Sequence, residues 1–318
     1  MKTTQLFFTG LFVLGGLFVQ AQSTQTSTLT RFGLQAGTGG TGNAFFGYQA
    51  GMNTTGSYNT FVGNGINLVG SHQGNTYVGY NSGSGGSGNY NVFIGHNSGY
   101  IAEGTRNVII GARAGNHTEG DDNIFIGYIT GNDNRGSRNI YIGKYVGDSV
   151  EEDDILKIEN SGSSVTAPLI WGDFAEDLLK FNGKVGVGYG FGSVPNTAGT
   201  VNVSGYNLFV NGGILTEEVR VMLKSDWADY VFEENYNLLK LEEIEEFIKE
   251  NKRLPNVPSA QEVSENGIEL GEIATIQQEK IEELTLYLIE QNKLIKQQQQ
   301  DMERLKKQVE LLLENKKP

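Results

Sequence analysis

An asparagine returns every sixteen residues, seven times in succession: Asn43, Asn59, Asn75, Asn91, Asn107, Asn123 and Asn139. Each opens a phrase of one form, NAFFG, NTFVG, NTYVG, NVFIG, NVIIG, NIFIG and NIYIG, with no insertion between units. Further glycines keep step, at Gly51, Gly83, Gly99, Gly115, Gly131 and Gly147 and again at Gly56, Gly88, Gly104, Gly120 and Gly136. The second unit departs from the pattern, with Asn67 and His72 at those two places. A fixed short period means stacked copies of one supersecondary unit. Helical repeats are longer and do not tolerate several glycines per unit. Sixteen residues fit two short strands and two tight turns, whose corners use glycine for positive φ and close backbone approach. The period therefore predicts a mainly β chain with a parallel β-solenoid, or β-roll, of seven coils over 43–148. At the ~4.8 Å spacing of parallel strands, its length is roughly 30–35 Å.

Side chains alternate across a strand, so each phrase assigns two faces. One carries Ala44/Phe46, Thr60/Val62, Thr76/Val78, Val92/Ile94, Val108/Ile110, Ile124/Ile126 and Ile140/Ile142. β-Branched residues suit the inside of a narrow coil. The expected repeat core is accordingly Val62, Val78, Ile94, Ile110, Ile126 and Ile142. The other face carries the Asn and then Phe45, Phe61, Tyr77, Phe93, Ile109, Phe125 and Tyr141. Read as outward, its aromatic column (Phe45, Phe61, Tyr77, Phe93, Phe125, Tyr141) would be an apolar stripe of the kind that self-associating proteins use.

The phrase N-x-Φ-Φ-G-x-x-[SA]-G, over about Gly33 to Asp148, resembles the head repeats of trimeric autotransporter adhesins, the YadA-like heads. That resemblance implies a left-handed parallel β-roll, assembly as a homotrimer, and a surface displayed to host or matrix ligands. The uniform sixteen-residue period is slightly longer than that family's.

After the repeats, residues 149–223 read as a glycine-punctuated, β-rich neck. DDILKIENSGSSVTAPLIWGDF and LLKFNGKVGVGYGFG contain short strands, and YNLFVNGGILTEEVRVML (Tyr206–Leu223) reads as two more around Gly212-Gly213. No helix follows GKVGVGYG to hold a phosphate, so its glycines belong to turns. In 224–272, Leu238, Leu239, Leu241, Ile244, Phe247 and Ile248 recur at helical spacing, and Ser259 is placed to cap a short helix. This small α+β module resembles the C-terminal regions of secreted bacterial tail-fibre-like proteins, related in style to phage tailspike intramolecular chaperones. Those domains trimerise their fibre, and many then cleave themselves. In that family a Ser-Asp serine is activated by a lysine five residues on. Here Ser225-Asp226 has Tyr230 at the lysine's position, and a serine without a nearby base is a poor nucleophile. Autoproteolysis is the alternative function, and Ser225 is read as a turn residue.

From 273 to 318 the chain reads as a coiled coil. Its a positions are Ile281, Leu288, Ile295, Met302 and Val309, and its d positions are Leu284, Gln291, Gln298, Leu305 and Leu312. These residues alone leave two or three strands open; the head resemblance favours three. The acidic residues ahead of the heptads exclude a basic-zipper DNA reader.

Charge is divided between the halves. Residues 22–148 hold six acids and six bases, whereas 149–318 hold 31 acids against 17 bases. No basic patch offers itself to nucleic acid. The run LFFTGLFVLGGLFV (Leu6–Val19) after Lys2, then VQA before Gln22, reads as a signal peptide over 1–21, followed by a lead-in over 22–42. The run is too short for a stable membrane span. There are no cysteines, so thiol nucleophiles, disulfides and cysteine metal sites are excluded. His72, His96 and His117 read as corner residues, Asp121-Asp122 lacks the calcium-roll glycine pattern, and Trp171 and Trp227 read as packing residues. Tyr48, Tyr80 and Tyr128 share one repeat position and form a possible contact column. No catalytic, cofactor or metal site is expected. The expected product is a secreted or cell-surface homotrimeric fibre, non-enzymatic, that recognises an extracellular glycan or protein; a purely structural extracellular component is a further alternative.

Overall fold

The computed structural model describes residues 13–14, 17–18, 23–26, 29–162, 167–190, 192–222 and 227–314. It divides into two compact units, Met1–Lys184 and Val185–Pro318. The chain is mainly β: a parallel β-solenoid of about eight turns at sixteen-residue spacing, with three helices, the last of them long.

In the first unit, β1 (Val13–Leu14) and β2 (Leu17–Phe18) make a minimal antiparallel ladder. β3 (Ser23–Thr26) and β4 (Leu29–Phe32) form an antiparallel hairpin, and β4 pairs in parallel with the first repeat strand. The repeat strands are β5 (Asn43–Phe46), β6 (Thr60–Val62), β7 (Thr76–Val78), β8 (Val92–Ile94), β9 (Val108–Ile110), β10 (Ile124–Ile126) and β11 (Ile140–Ile142). Each sits over the last in a strict sixteen-residue register, such as Phe93 over Ile109. β12 (Ile155–Ile158) continues the parallel stack, and β13 (Ile170–Asp173) and β14 (Leu178–Phe181) close it antiparallel. Each repeat supplies one short strand rather than the two expected. The opposite wall is a stack of turns, bonded in register by pairs such as Gly99 N–H to the Ala114 carbonyl, 2.8 Å. Positive φ at the corners prevents that wall from becoming a second extended strand.

The face assignment is the reverse of the one expected. Phe45, Phe61, Tyr77, Phe93, Ile109, Phe125 and Tyr141 are fully buried and form the core. Their rings stack coil on coil, Tyr77 on Phe93 at 4.7 Å between centroids and Phe125 on Tyr141 at 5.2 Å. Val62, Val78, Ile94, Ile110, Ile126 and Ile142 lie on the outer face, with Val62 40% and Ile94 38% exposed and Val78, Ile110 and Ile142 half-buried. The rings turn inward because glycine makes room for them. A Cβ on Gly99 would lie 2.3 Å from Phe93 Cδ2. Gly95, at φ +142°, lets the next coil approach so closely that a Cβ there would sit 2.4 Å from the Gly111 carbonyl oxygen.

The repeat asparagines face inward with the rings and are buried. Each side-chain oxygen accepts the backbone N–H sixteen residues on, at 2.8–3.0 Å along the whole series from Asn43 to Asn139. Each amide nitrogen donates to the carbonyl thirteen residues on, at 2.6–3.1 Å. Two backbone groups of the next coil are thereby satisfied by one side chain. Only a carboxamide offers donor and acceptor side by side at this reach. His72, the departure in the second unit, still serves, because its backbone carbonyl receives Asn59.

The second unit holds β15 (Val185–Val187) paired in parallel with β18 (Leu208–Val210), and the hairpin of β16 (Thr197–Ala198) and β17 (Val201–Asn202). A 3-10 turn η1 (Ala228–Phe232) precedes α1 (Leu241–Asn251), α2 (Ala260–Asn266) and the 45-residue α3 (Leu270–Glu314). Ser259 caps α2 as expected: its hydroxyl accepts the Glu262 N–H while the Glu262 carboxylate accepts the Ser259 N–H. The second strand expected after Gly212-Gly213 does not form among the described residues.

Two substitutions test this interior. Phe93→Ala is expected to lose about 3–5 kcal/mol in urea unfolding, and Ile94→Thr far less; equal losses would contradict the inward rings. Asn91→Asp keeps the acceptor but, once ionised, sets a buried charge against the Gly104 carbonyl. Burial raises the folded pKa of the new carboxyl above the ordinary ~3.9. The variant should therefore be most stable below about pH 4 and lose stability as pH rises through the folded value; a flat urea midpoint from pH 4 to 7 would refute it.

Candidate interaction surfaces

With the aromatic column enclosed, the outer face of the solenoid sheet carries the β-branched ladder instead. Pairs such as Thr60/Val62, Val92/Ile94 and Ile124/Ile126 repeat in register across seven strands, an apolar stripe with no side-chain charge in it. The column of rings stops at a cation at each end. Arg31 is in register with Phe45, and Lys157 with Tyr141. Lys157 is buried, ion-paired to Glu152, with its ammonium 5.5 Å from the centre of the Tyr141 ring. A desolvated cation over a ring face is favourable. It also places a charge where a further apolar coil would otherwise add.

The coil corners are polar and largely self-satisfied. Asp122 holds Arg106 through two bonds of 2.6 and 2.7 Å, and Asp154 holds Arg138 at the same distances. Hydrogen bonding to Arg106 keeps the Asp122 carboxyl below its ordinary value. Asp121 accepts the Thr105 N–H at 2.7 Å. Both carboxylates of the Asp121-Asp122 pair are thus engaged within the protein. Among the described residues no group of three or more His, Asp or Glu side chains is placed to hold a metal ion. The three histidines are not brought together: His72 bonds the Val69 carbonyl, His96 stacks on Tyr80 at 5.3 Å, and His117 lies 3.4 Å from Asp133. Tyr48, Tyr80 and Tyr128 do share an exposed corner. Trp171 packs against the core under Lys180, whereas Trp227 is 43% exposed beside η1.

In the second unit, α3 shows two unlike faces. On one, Tyr230 donates to Glu279, and Tyr236 donates to Glu283 at 2.5 Å. Lys280 bridges Glu279 and Glu283 at 2.7 and 2.9 Å. The Tyr230 hydroxyl is pushed up to about 12 by its bond to the Glu279 carboxylate, so it stays protonated as a donor. Tyr230, five residues after Ser225, thus clasps α3 through Glu279. Ser225 lies outside the described residues. The other face carries the heptad stripe, and Ile281, Leu284, Leu288, Ile295, Met302, Leu305, Val309 and Leu312 are all exposed. Gln291 and Gln298 interrupt the stripe and are exposed as well.

Heptad spacing made the α3 stripe legible in advance, but the clasp residues Glu279 and Glu283 were not, since their partners lie 49 and 47 residues away. Among the described residues no helix is long and apolar enough to cross a membrane. Compared with protein-family models, curated proteins and solved structures, the chain matches none.

Proposed function

We propose that this chain is the subunit of a secreted or cell-surface homotrimeric fibre whose solenoid serves adhesion or surface recognition without catalysis. One observation carries the reading: two regular apolar stripes, Val62 to Ile142 on the solenoid and Ile281 to Leu312 on α3, both face outward from a single chain. Monomers seldom keep such stripes exposed. A repeat surface is identical in every copy, and identical stripes meet naturally about a symmetry axis. Leucine-rich heptads bury their a and d residues only against another helix. Three copies rather than two is favoured by the likeness of the head repeats to trimeric adhesin heads. The recurrent exposed tyrosines, Tyr48, Tyr80 and Tyr128, offer a contact row for an extracellular glycan or protein.

The full chain, freed of residues 1–21, is expected to sediment as a trimer; a stable monomer would end this reading. Leu284→Asn with Leu288→Asn, two losses of about 2 kcal/mol or more each per chain, should shift dissociation to concentrations at least 100-fold higher by sedimentation equilibrium. For recognition, the trimer should bind extracellular matrix or a glycan array, and the triple variant Tyr48→Ser, Tyr80→Ser, Tyr128→Ser should bind several-fold less. Undiminished binding by the triple variant would remove the tyrosine row from the proposal.

A further inference from the structure

The segment Ile214–Met222, ILTEEVRVM, has the composition of a strand but joins no strand ladder among the described residues. It lies outside every described strand and helix, and Ile214, Leu215, Val219, Val221 and Met222 are all exposed, Leu215 and Met222 almost completely. Its own contacts are short-range, Thr216 Oγ1 to the Glu218 carbonyl and Arg220 to Glu218, and its apolar side chains face solvent. A strand-forming sequence in this condition is an edge waiting for a partner.

The same unit contains an unfilled groove of about 600 Å³ between the β16–β17 hairpin, α2 and α3. Val201, Val203, Ile273 and Ile276 give it apolar lining, and Glu269, Glu272 and Arg253 line it as well. That volume is in the range of ligand-sized clefts. One wall is the two-strand hairpin of β16 and β17. An extended peptide added at such an edge gains main-chain bonds while its alternate side chains fill the floor. Ile273 and Ile276 fall at g and c positions of the α3 heptads, beside the stripe and not in it. Bringing two α3 helices together along that stripe therefore leaves the groove open.

We infer that the groove of each copy receives Ile214–Met222 of another copy, so that the subunits are interlocked by an exchanged strand as well as paired along α3. Arg220 of the incoming strand meets the acidic rim of Glu269 and Glu272, and Glu217 or Glu218 meets Arg253. This rests on the self-association proposed above and adds to it the segment and the site that are exchanged.

The absence of cysteine makes the test clean. Leu215→Cys and Ile276→Cys are made singly in full-length chains carrying tags of different size, co-expressed and oxidised. An interchain disulfide between the two tags, approaching the roughly one half of chains that random mixing of two chain types allows and lowered several-fold by Arg220→Glu, is the expected result. The control pair Leu215→Cys with Leu294→Cys, farther along α3, should not link. Sedimentation of the same samples separates the two levels. A trimer without the link overturns the exchange while leaving self-association intact, and a monomer overturns both. A link that forms only inside one chain carrying both cysteines shows that the strand docks on its own copy, and also overturns the exchange.

Discussion

Everything in the solenoid hangs on one side-chain amide used as a backbone splice. In a parallel stack of narrow coils, the corner of each coil leaves an N–H and a carbonyl pointing at its neighbour, away from water. Buried groups of this kind cost about 1–3 kcal/mol each when left unpaired. The asparagine of the coil before satisfies both, through Oδ1 and Nδ2, from Asn43 through Asn139. Aspartate lacks the donor, glutamine is longer by a methylene, and serine has a single oxygen. The sixteen-residue period is the reach of this amide repeated, and an insertion in one coil would unhook two neighbours.

Around that splice the interior column is filled by rings in every coil but one, where Ile109 takes the place. Stacked at 4.7–5.2 Å, they match the spacing of parallel strands, so the strand ladder and the ring ladder keep the same step. Burial pushes the Tyr77 hydroxyl far above its ordinary value, so it remains a neutral core residue. The stack is bounded by Arg31 and Lys157 and by antiparallel strands at both ends. A solenoid that ended on a bare parallel edge would add further copies end to end. The charged ends leave the β-branched stripe on the side as the apolar surface of the stack.

Several elements were legible from residues alone. The coil period, the short helix behind Ser259 and the heptad stripe of α3 each rest on local chemistry that tertiary context does not change. The inside of the coil was not legible by the rule applied, because both strand faces are apolar and alternation alone cannot rank them. A usable signal was nevertheless present. The aromatics share a face with the repeat Asn, and a glycine six residues on, such as Gly99, leaves space for every ring but Phe61, where Asn67 stands. The Tyr230 and Tyr236 clasps on α3 carried no such signal, since they join residues far apart in the chain.

By itself the sequence determined the periodicity, and with it a stacked β architecture, because a backbone staple recurring every sixteen residues permits little else. It likewise determined the start of the short helix behind Ser259, through its cap, and which helix keeps an apolar stripe. Only the tertiary structure decided which face of each phrase is buried, because that choice depends on where a missing glycine Cβ meets a ring from elsewhere in the coil. It also decided that the strand-like segment after Gly213 joins no ladder among the described residues. Pairing is a property of edges brought together in space, and no local pattern contains it.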